Sequence, residues 1–234
     1  MGETLSYSLA DLIAYPPEAY WSLFERANAL AWPVALVLSM LTGIAWALSV
    51  DGREGAGRLA GVVLGFAWVT VAMIFVLGRY EAINWAAIYL MPVFLAQAIL
   101  VGGLGAAGWL SVEPGGRAGL VASFLVLAAV LVWPILAAVF GRTLETAQVF
   151  AISPDATAVA TLGFVSVADR RWVRLLLAAI PMLWLALSAT TLLTLELAQG
   201  WVLVVAMVLA TLALSWRKRR PGAGIDVGGV EVPV

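Results

Sequence analysis

The chain has 234 residues, 63% hydrophobic and only 12% charged, with a formal net charge of −1 and a mean hydropathy of +1.01. A soluble domain carries about a quarter of its residues as charged side chains, so a water-soluble globule is excluded and an all-α, polytopic membrane helix bundle is indicated. Histidine and cysteine are both absent; neither imidazole nor thiolate chemistry is available, and no metal site and no cofactor are expected.

From the N-terminus, Leu5, Leu9, Leu12 and Ile13 repeat at helical spacing, and Ser8 with Asp11 three residues on forms a capping box. A short amphipathic helix is expected there, retained because no basic region or cleavage site precedes it. Pro16-Pro17 breaks the chain. A second run from Glu18, carrying Tyr20, Trp21, Phe24 and Ala27 on one side, is read as a membrane-surface helix. Residues 1–29 are therefore taken as an N-terminal interfacial segment, 30–216 as the transmembrane bundle and 217–234 as a tail. An unbroken helix from Glu18 to Val50 would measure roughly 50 Å against a hydrocarbon core of about 30 Å, so a bend between Asn28 and Pro33 is expected.

Apolar runs follow at about 30–50, 59–78, 85–108, 118–140, 156–168, 173–195 and 200–216. Six are long enough to span; the fifth is short even with Pro154 as its first helical residue. Charge asymmetry decides how to count it. With seven spans and the N-terminus outside, Arg53, Arg58, Arg117, Arg170, Arg171, Arg174, Arg217, Lys218, Arg219 and Arg220 fall inside, and only Arg26, Arg79 and Arg142 fall outside. That split follows the positive-inside rule, whereas a re-entrant fifth segment would reverse the last two clusters. Seven spans, N-terminus out and C-terminus in, is the expected topology. Usage of Arg, Ala, Gly and Val points to a GC-rich bacterial genome and hence to the inner membrane.

The span interiors hold no Asp, Glu, Lys or Arg near their centres, which argues against proton-coupled pumping. Lys218 is the one lysine and lies in the tail, excluding a retinal Schiff base within the bundle. Gln97 needs a partner, for which one interhelical hydrogen bond suffices; Ser123, Ser188, Thr190, Thr191, Thr194 and Thr211 are expected to bond their own helices or a neighbouring one. Gly61 and Gly65 form a GxxxG pattern, and Gly102, Gly103, Gly105 and Gly108 cluster in the third run, both marking close helix contacts. Of eleven tryptophans, seven lie near span ends as an interfacial belt; Trp46, Trp68, Trp133 and Trp184 lie deeper and are read as packing residues.

Polar residues concentrate in two short outer connections, Arg79 to Trp85 and Gly141 through Gln148 and Phe150 to Thr157. Ser153-Pro154-Asp155 is a helix start, with Ser as N-cap, Pro first and Asp in the first turn. Arg79, Arg142 and this helix end could hold an anion. The bland alternative is that Arg79, Arg142, Glu81, Glu145 and Asp155 only pair with one another and cap helices. The candidate ligand-binding set is Asn28, Arg79, Glu81, Asn84, Arg142, Glu145, Asp155 and Thr157, with Asp155 shared between its own helix terminus and Arg142; no catalytic residue is assigned.

The positions Asn28 with Trp32-Pro33, Arg79-Tyr80 with Ile83-Asn84-Trp85, and Gly141-Arg142 leading to Pro154-Asp155, Thr157 and Thr161-Leu162-Gly163 resemble an uncharacterised family of bacterial integral-membrane proteins over nearly the whole chain. Ala27 stands where a Tyr is usual, and the Glu145 to Phe150 spacing matches loosely. The resemblance implies a fold and no mechanism. Binding or permeation of a small solute, an anion among the candidates, at an outward-facing site is the first functional reading. A non-catalytic accessory subunit of a larger membrane complex is the alternative. An enzyme acting on lipid or isoprenoid substrates would have only Glu81, Glu145, Asp155 and Glu196 to work with. The expected partners are the lipid bilayer and other membrane subunits or further copies of the chain, and no nucleic acid.

Overall fold

In a computed structural model, residues 16–78, 80–82 and 88–216 are described. The amphipathic helix expected at Leu5–Ile13, the tail from residue 217, and Arg79, Ile83, Asn84 and Trp85 lie outside them. Seven helices form the described chain: α1 Pro17–Val50, α2 Ala56–Leu77, α3 Leu90–Ala106, α4 Gly116–Val139, α5 Pro154–Ser166, α6 Arg171–Thr194 and α7 Gln199–Ser215. Each overlaps one of the apolar runs, and α1, α2, α4 and α6 are long and apolar enough to cross a membrane. No strand occurs among the described residues; one isolated antiparallel bridge, Val112 with Ala168, ties the α3–α4 and α5–α6 connections together.

Two sequence readings change at α1. The helix runs through Pro33 without interruption for 34 residues, about 51 Å, so the boundary at residue 29 falls inside one helix. Its first turns are not a free amphipathic surface. Tyr20, Trp21, Leu23, Phe24 and Ala27 are buried, with Phe24 stacked on Phe75 at 5.0 Å between ring centroids and Phe75 on Tyr80 at 5.4 Å.

α2 and α3 are the most intimate pair, for a reason visible in composition. A Cβ at Gly61 would sit 2.5 Å from the Gly105 Cα, and one at Gly65 would sit 3.1 Å from the Gly102 Cα. Without side chains at those four positions the two backbones touch. In α4, Pro134 withholds a backbone donor; the helix loosens to π winding over Ala128–Val132 and tightens to a 3-10 turn at Trp133–Ile135. α2 is π-wound over Val71–Leu77.

α5 is the centre of the bundle. All thirteen of its residues are buried, and it packs against α2, α4, α6 and α7. Gly163 lets it close on α4, where a Cβ would lie 3.1 Å from the Ala122 carbonyl oxygen. At about 20 Å it is shorter than a hydrocarbon core. Ser123, Thr190, Thr191, Thr194 and Thr211 donate back to carbonyls four residues earlier, as read from the sequence, whereas the buried Ser188 hydroxyl makes no such bond. Gln97 donates across to the Leu177 carbonyl of α6 at 3.0 Å.

Candidate functional site

One end of the bundle collects the N-termini of α1, α5 and α7 and the loop between α4 and α5. The chain leaves α4 through Gly141, whose φ of +72° lies in the left-handed region that glycine tolerates, and enters a 3-10 turn at Leu144–Thr146. Asn28 of α1 fastens that turn. Its Nδ2 donates to the Glu145 and Ala147 carbonyls, both at 2.8 Å.

Arg142 is held on three sides. Its guanidinium carbon lies 3.5 Å from the Trp21 ring centroid, one terminal nitrogen donates to the Thr146 carbonyl at 3.1 Å, and the other donates to Gln199 Oε1 at 2.7 Å. Burial pulls its pKa below the usual guanidinium range, to about 10, so it remains a cation at neutral pH.

From Arg142 a line of hydrogen bonds runs into the bundle. Gln199 Nε2 donates to Gln148 Oε1 at 2.7 Å, and Gln148 Nε2 donates to Asp155 Oδ2 at 2.8 Å. Trp133 Nε1 also donates to Gln148 Oε1, at 3.0 Å, and Trp184 Nε1 closes on Asp155 Oδ1 at 2.8 Å. Gln148, Asp155 and Gln199 are all buried. Ser188, one turn along α6 from Trp184, faces the same carboxylate with its hydroxyl outside hydrogen-bond geometry. Every donor along the line points from Arg142 towards the Asp155 carboxyl group. Guanidinium and indole can only donate, so the two ends and Trp133 fix the orientation of both amides. The arrangement joins a guanidinium to a buried carboxyl group through two glutamines, each amide dipole aligned head to tail, and such chains strengthen one another in a poorly solvated interior.

α5 begins as its residue types dictate. Ser153 is the N-cap, and its Oγ accepts the Asp155 backbone N–H at 3.2 Å; Pro154 occupies the first position. Just before it, Ala151 adopts a φ of +66°, unusual for a residue with a Cβ. Thr157 holds that bend, accepting the Ala151 N–H at 3.0 Å and donating to the Ser153 carbonyl at 2.8 Å.

Of the eight sequence-derived candidates, Asn28, Arg142, Asp155 and Thr157 come together at this end, each with a separate task. Thr157 serves the entrance of α5, not the carboxylate. Glu81 and Glu145 are exposed, Glu145 contributing its backbone carbonyl to the Asn28 clamp. Arg79 and Asn84 lie outside the described residues. Arg142 and Asp155 do not share a direct contact; two amides stand between them. Gln148, Gln199, Trp133 and Trp184 were not among the candidates. Three of the four deep tryptophans, Trp68, Trp133 and Trp184, put their indole N–H on buried polar atoms, Trp68 on Thr161 Oγ1 at 3.0 Å. A glutamine at the head of the last apolar run was the available signal for Gln199, and nothing in the sequence linked it to Gln148.

A helical membrane bundle with a polar line sealed at one end defines an architecture without a known activity. The chain belongs to a family described as "Family of unknown function (DUF6064)", which matches residues 17–224. Neither a curated protein nor a solved structure matches it.

Proposed function

We propose that the chain is a seven-span protein of a bacterial inner membrane, with the Arg142 end facing outward, that binds a small anion at that end without catalysing a reaction. The observation that carries this reading is the state of Arg142. A half-buried guanidinium normally rests against a carboxylate; this one lies on an aromatic face, its Nε is buried without a partner, and the balancing carboxylate sits two amides deeper. A cation kept available in this way suits an anionic guest. The topology draws on the charge distribution, since Arg53, Arg58, Arg117, Arg170, Arg171 and Arg174 all belong to the opposite end. Trp21 makes the test direct: titrating purified protein with phosphate, acetate and chloride should change tryptophan fluorescence in the wild type and not in Arg142→Gln. An unchanged signal at millimolar anion, or an equal response in the variant, refutes the binding role.

The accessory-subunit reading draws on a different observation. The hydrogen bonds of Gln148, Gln199 and Asp155 all close within the chain, as expected of a purely structural centre. Copurification of a larger assembly with no anion response would favour it.

A further inference from the structure

At the end of the bundle opposite Arg142, a hollow of about 920 Å³ opens among five helices. Ser49 comes from the end of α1, Arg117 from the start of α4, Ser166 from the end of α5 and Arg174 from the start of α6, and Trp216 follows α7. The connections that complete the wall are joined through backbone: the Glu113 N–H donates to the Val167 carbonyl at 3.3 Å, and the Asp169 N–H to the Ser111 carbonyl at 2.9 Å. We infer that this hollow is a binding site for a phosphate monoester, carried by a lipid or by a soluble molecule, whose phosphate is held by Arg117 and Arg174.

Three features point to that ligand. First, both arginines line the hollow, and neither makes an ion pair or a hydrogen bond among the described residues. Arg174 is half-buried, with its Nε closed off from any acceptor, and it stands between this hollow and the cleft separating α6 from α7. Its two terminal nitrogens, unlike Nε, are neither buried nor bonded. Partial burial of a guanidinium without a counter-charge is costly, and an anion on the terminal nitrogens offsets that cost without having to reach Nε. Second, the start of α4 adds positive potential where it is least welcome. Its N-cap is Gly115, which has no side chain to accept a hydrogen bond, and its first turn holds no acid; Arg117 sits there instead, a cation at the positive end of the helix dipole. The Arg117 and Ala118 N–H groups beside the hollow accordingly have no partner among the described residues. An anion relieves all three at once. Third, the charge and size favour a monoester. Two guanidiniums and a helix start face one carboxylate, that of the exposed Glu113, and a phosphate monoester carries about two negative charges at neutral pH. The Ser49 and Ser166 hydroxyls already donate to the Ala45 and Gly163 carbonyls, which leaves recognition of the phosphate to the arginines. The hollow is far larger than a phosphate alone, and the wall at Pro114, Val167 and Trp216 gives the rest of the ligand apolar surface to lie on.

The experiment has a lipid arm and a soluble arm, both on the full chain purified in detergent. Native mass spectrometry compares phosphatidate, a monoester, with phosphatidylglycerol, a diester of the same acyl chains; calorimetry follows glycerol phosphate and inorganic phosphate. One phosphatidate held about tenfold more tightly than phosphatidylglycerol places the phosphate on a lipid, and saturable binding of glycerol phosphate below about 1 mM places it on a soluble molecule. Whichever ligand binds, Arg174→Gln and Arg117→Gln should each weaken it about tenfold, the scale of one charge-assisted hydrogen bond. Arg174→Lys, which keeps the charge, should retain most of the affinity and so separates a lost cation from a lost fold. Arg58→Gln, at an exposed arginine of the same end outside the hollow, should change it less than twofold. Equal retention of the two lipids with no soluble phosphate bound overturns the proposal, as does an equal loss in Arg58→Gln, which describes a diffuse positive surface. The ligand comparisons use the unaltered protein and decide the matter even if the variants fail to insert.

Discussion

Replacing Asp155 by Asn tests the polarity of the buried line. The carboxylate accepts on both oxygens, from Gln148 Nε2 and Trp184 Nε1. An asparagine has one acceptor and one donating NH2, so it faces one of those two donors with another donor. Turning the Gln148 amide cannot repair the clash, because Oε1 already accepts from Trp133 and Gln199 and the indole has no acceptor to offer. Hydrogen bonds to a charged group contribute about 1.5–3 kcal/mol each. Losing one and weakening the other, offset in part by relief from burying a charge, gives a net destabilisation of about 3 kcal/mol. For a chain of this size that is roughly 6–12 °C in Tm. Gln148→Glu should cost as much, since it sets two carboxylates against each other. The double variant Asp155→Asn with Gln148→Glu restores every match: the carboxylate introduced at position 148 accepts from Trp133, Gln199 and the new amide, whose oxygen accepts from Trp184. It should lie within about 1 kcal/mol of wild type, a coupling of about 3 kcal/mol or more. Thermal unfolding of the four proteins in one detergent measures it. Additive losses in the double variant would refute the one-way line.

Trp184→Phe keeps the edge contact with Phe94, now 5.2 Å between ring centroids, and removes only the indole donor; a loss of about 1–3 kcal/mol is expected in the same unfolding assay. Gly61→Leu should prevent α2 and α3 from closing and cost more than about 3 kcal/mol, whereas Gly103→Ala, with open space around it, should be neutral or gain up to about 1 kcal/mol from helix propensity. Single cysteines at the exposed Glu145 and Glu54 of this cysteine-free chain should label from opposite sides with an impermeant thiol reagent. Labelling from one side removes the proposed topology. Ala156 is buried, so a cysteine there should stay unreactive from either side, a check on the packing of α5.

The helices were legible in the sequence because hydropathy belongs to each segment alone: α2, α4 and α6 sit on their apolar runs, and Ser153-Pro154-Asp155 starts α5 through purely local chemistry. The glycines of α2 and α3 announced a close contact and found it in each other. What the sequence hid depends on pairs. Gln148 and Gln199 are 51 residues apart, and nothing in either segment says that one amide orients the other. The first turns of α1 were read as a membrane-surface segment from their aromatic face alone; that face rests on α2 and on Tyr80, partners that no single segment names. Arg142 and Asp155 were matched by charge, and the structure inserts two neutral links between them.

The burial of α5 has a consequence for how the protein is made. Thirteen residues that begin just after Ser153 and include Asp155 offer an insertion machinery no segment it would release into lipid by itself. We expect the segment to be drawn in only once α4 and α6 stand on either side of it, and the polar line to close last, when α7 brings Gln199 to Gln148. A released chain truncated after Ser166 should leave α5 exposed to protease, and the full chain should protect it.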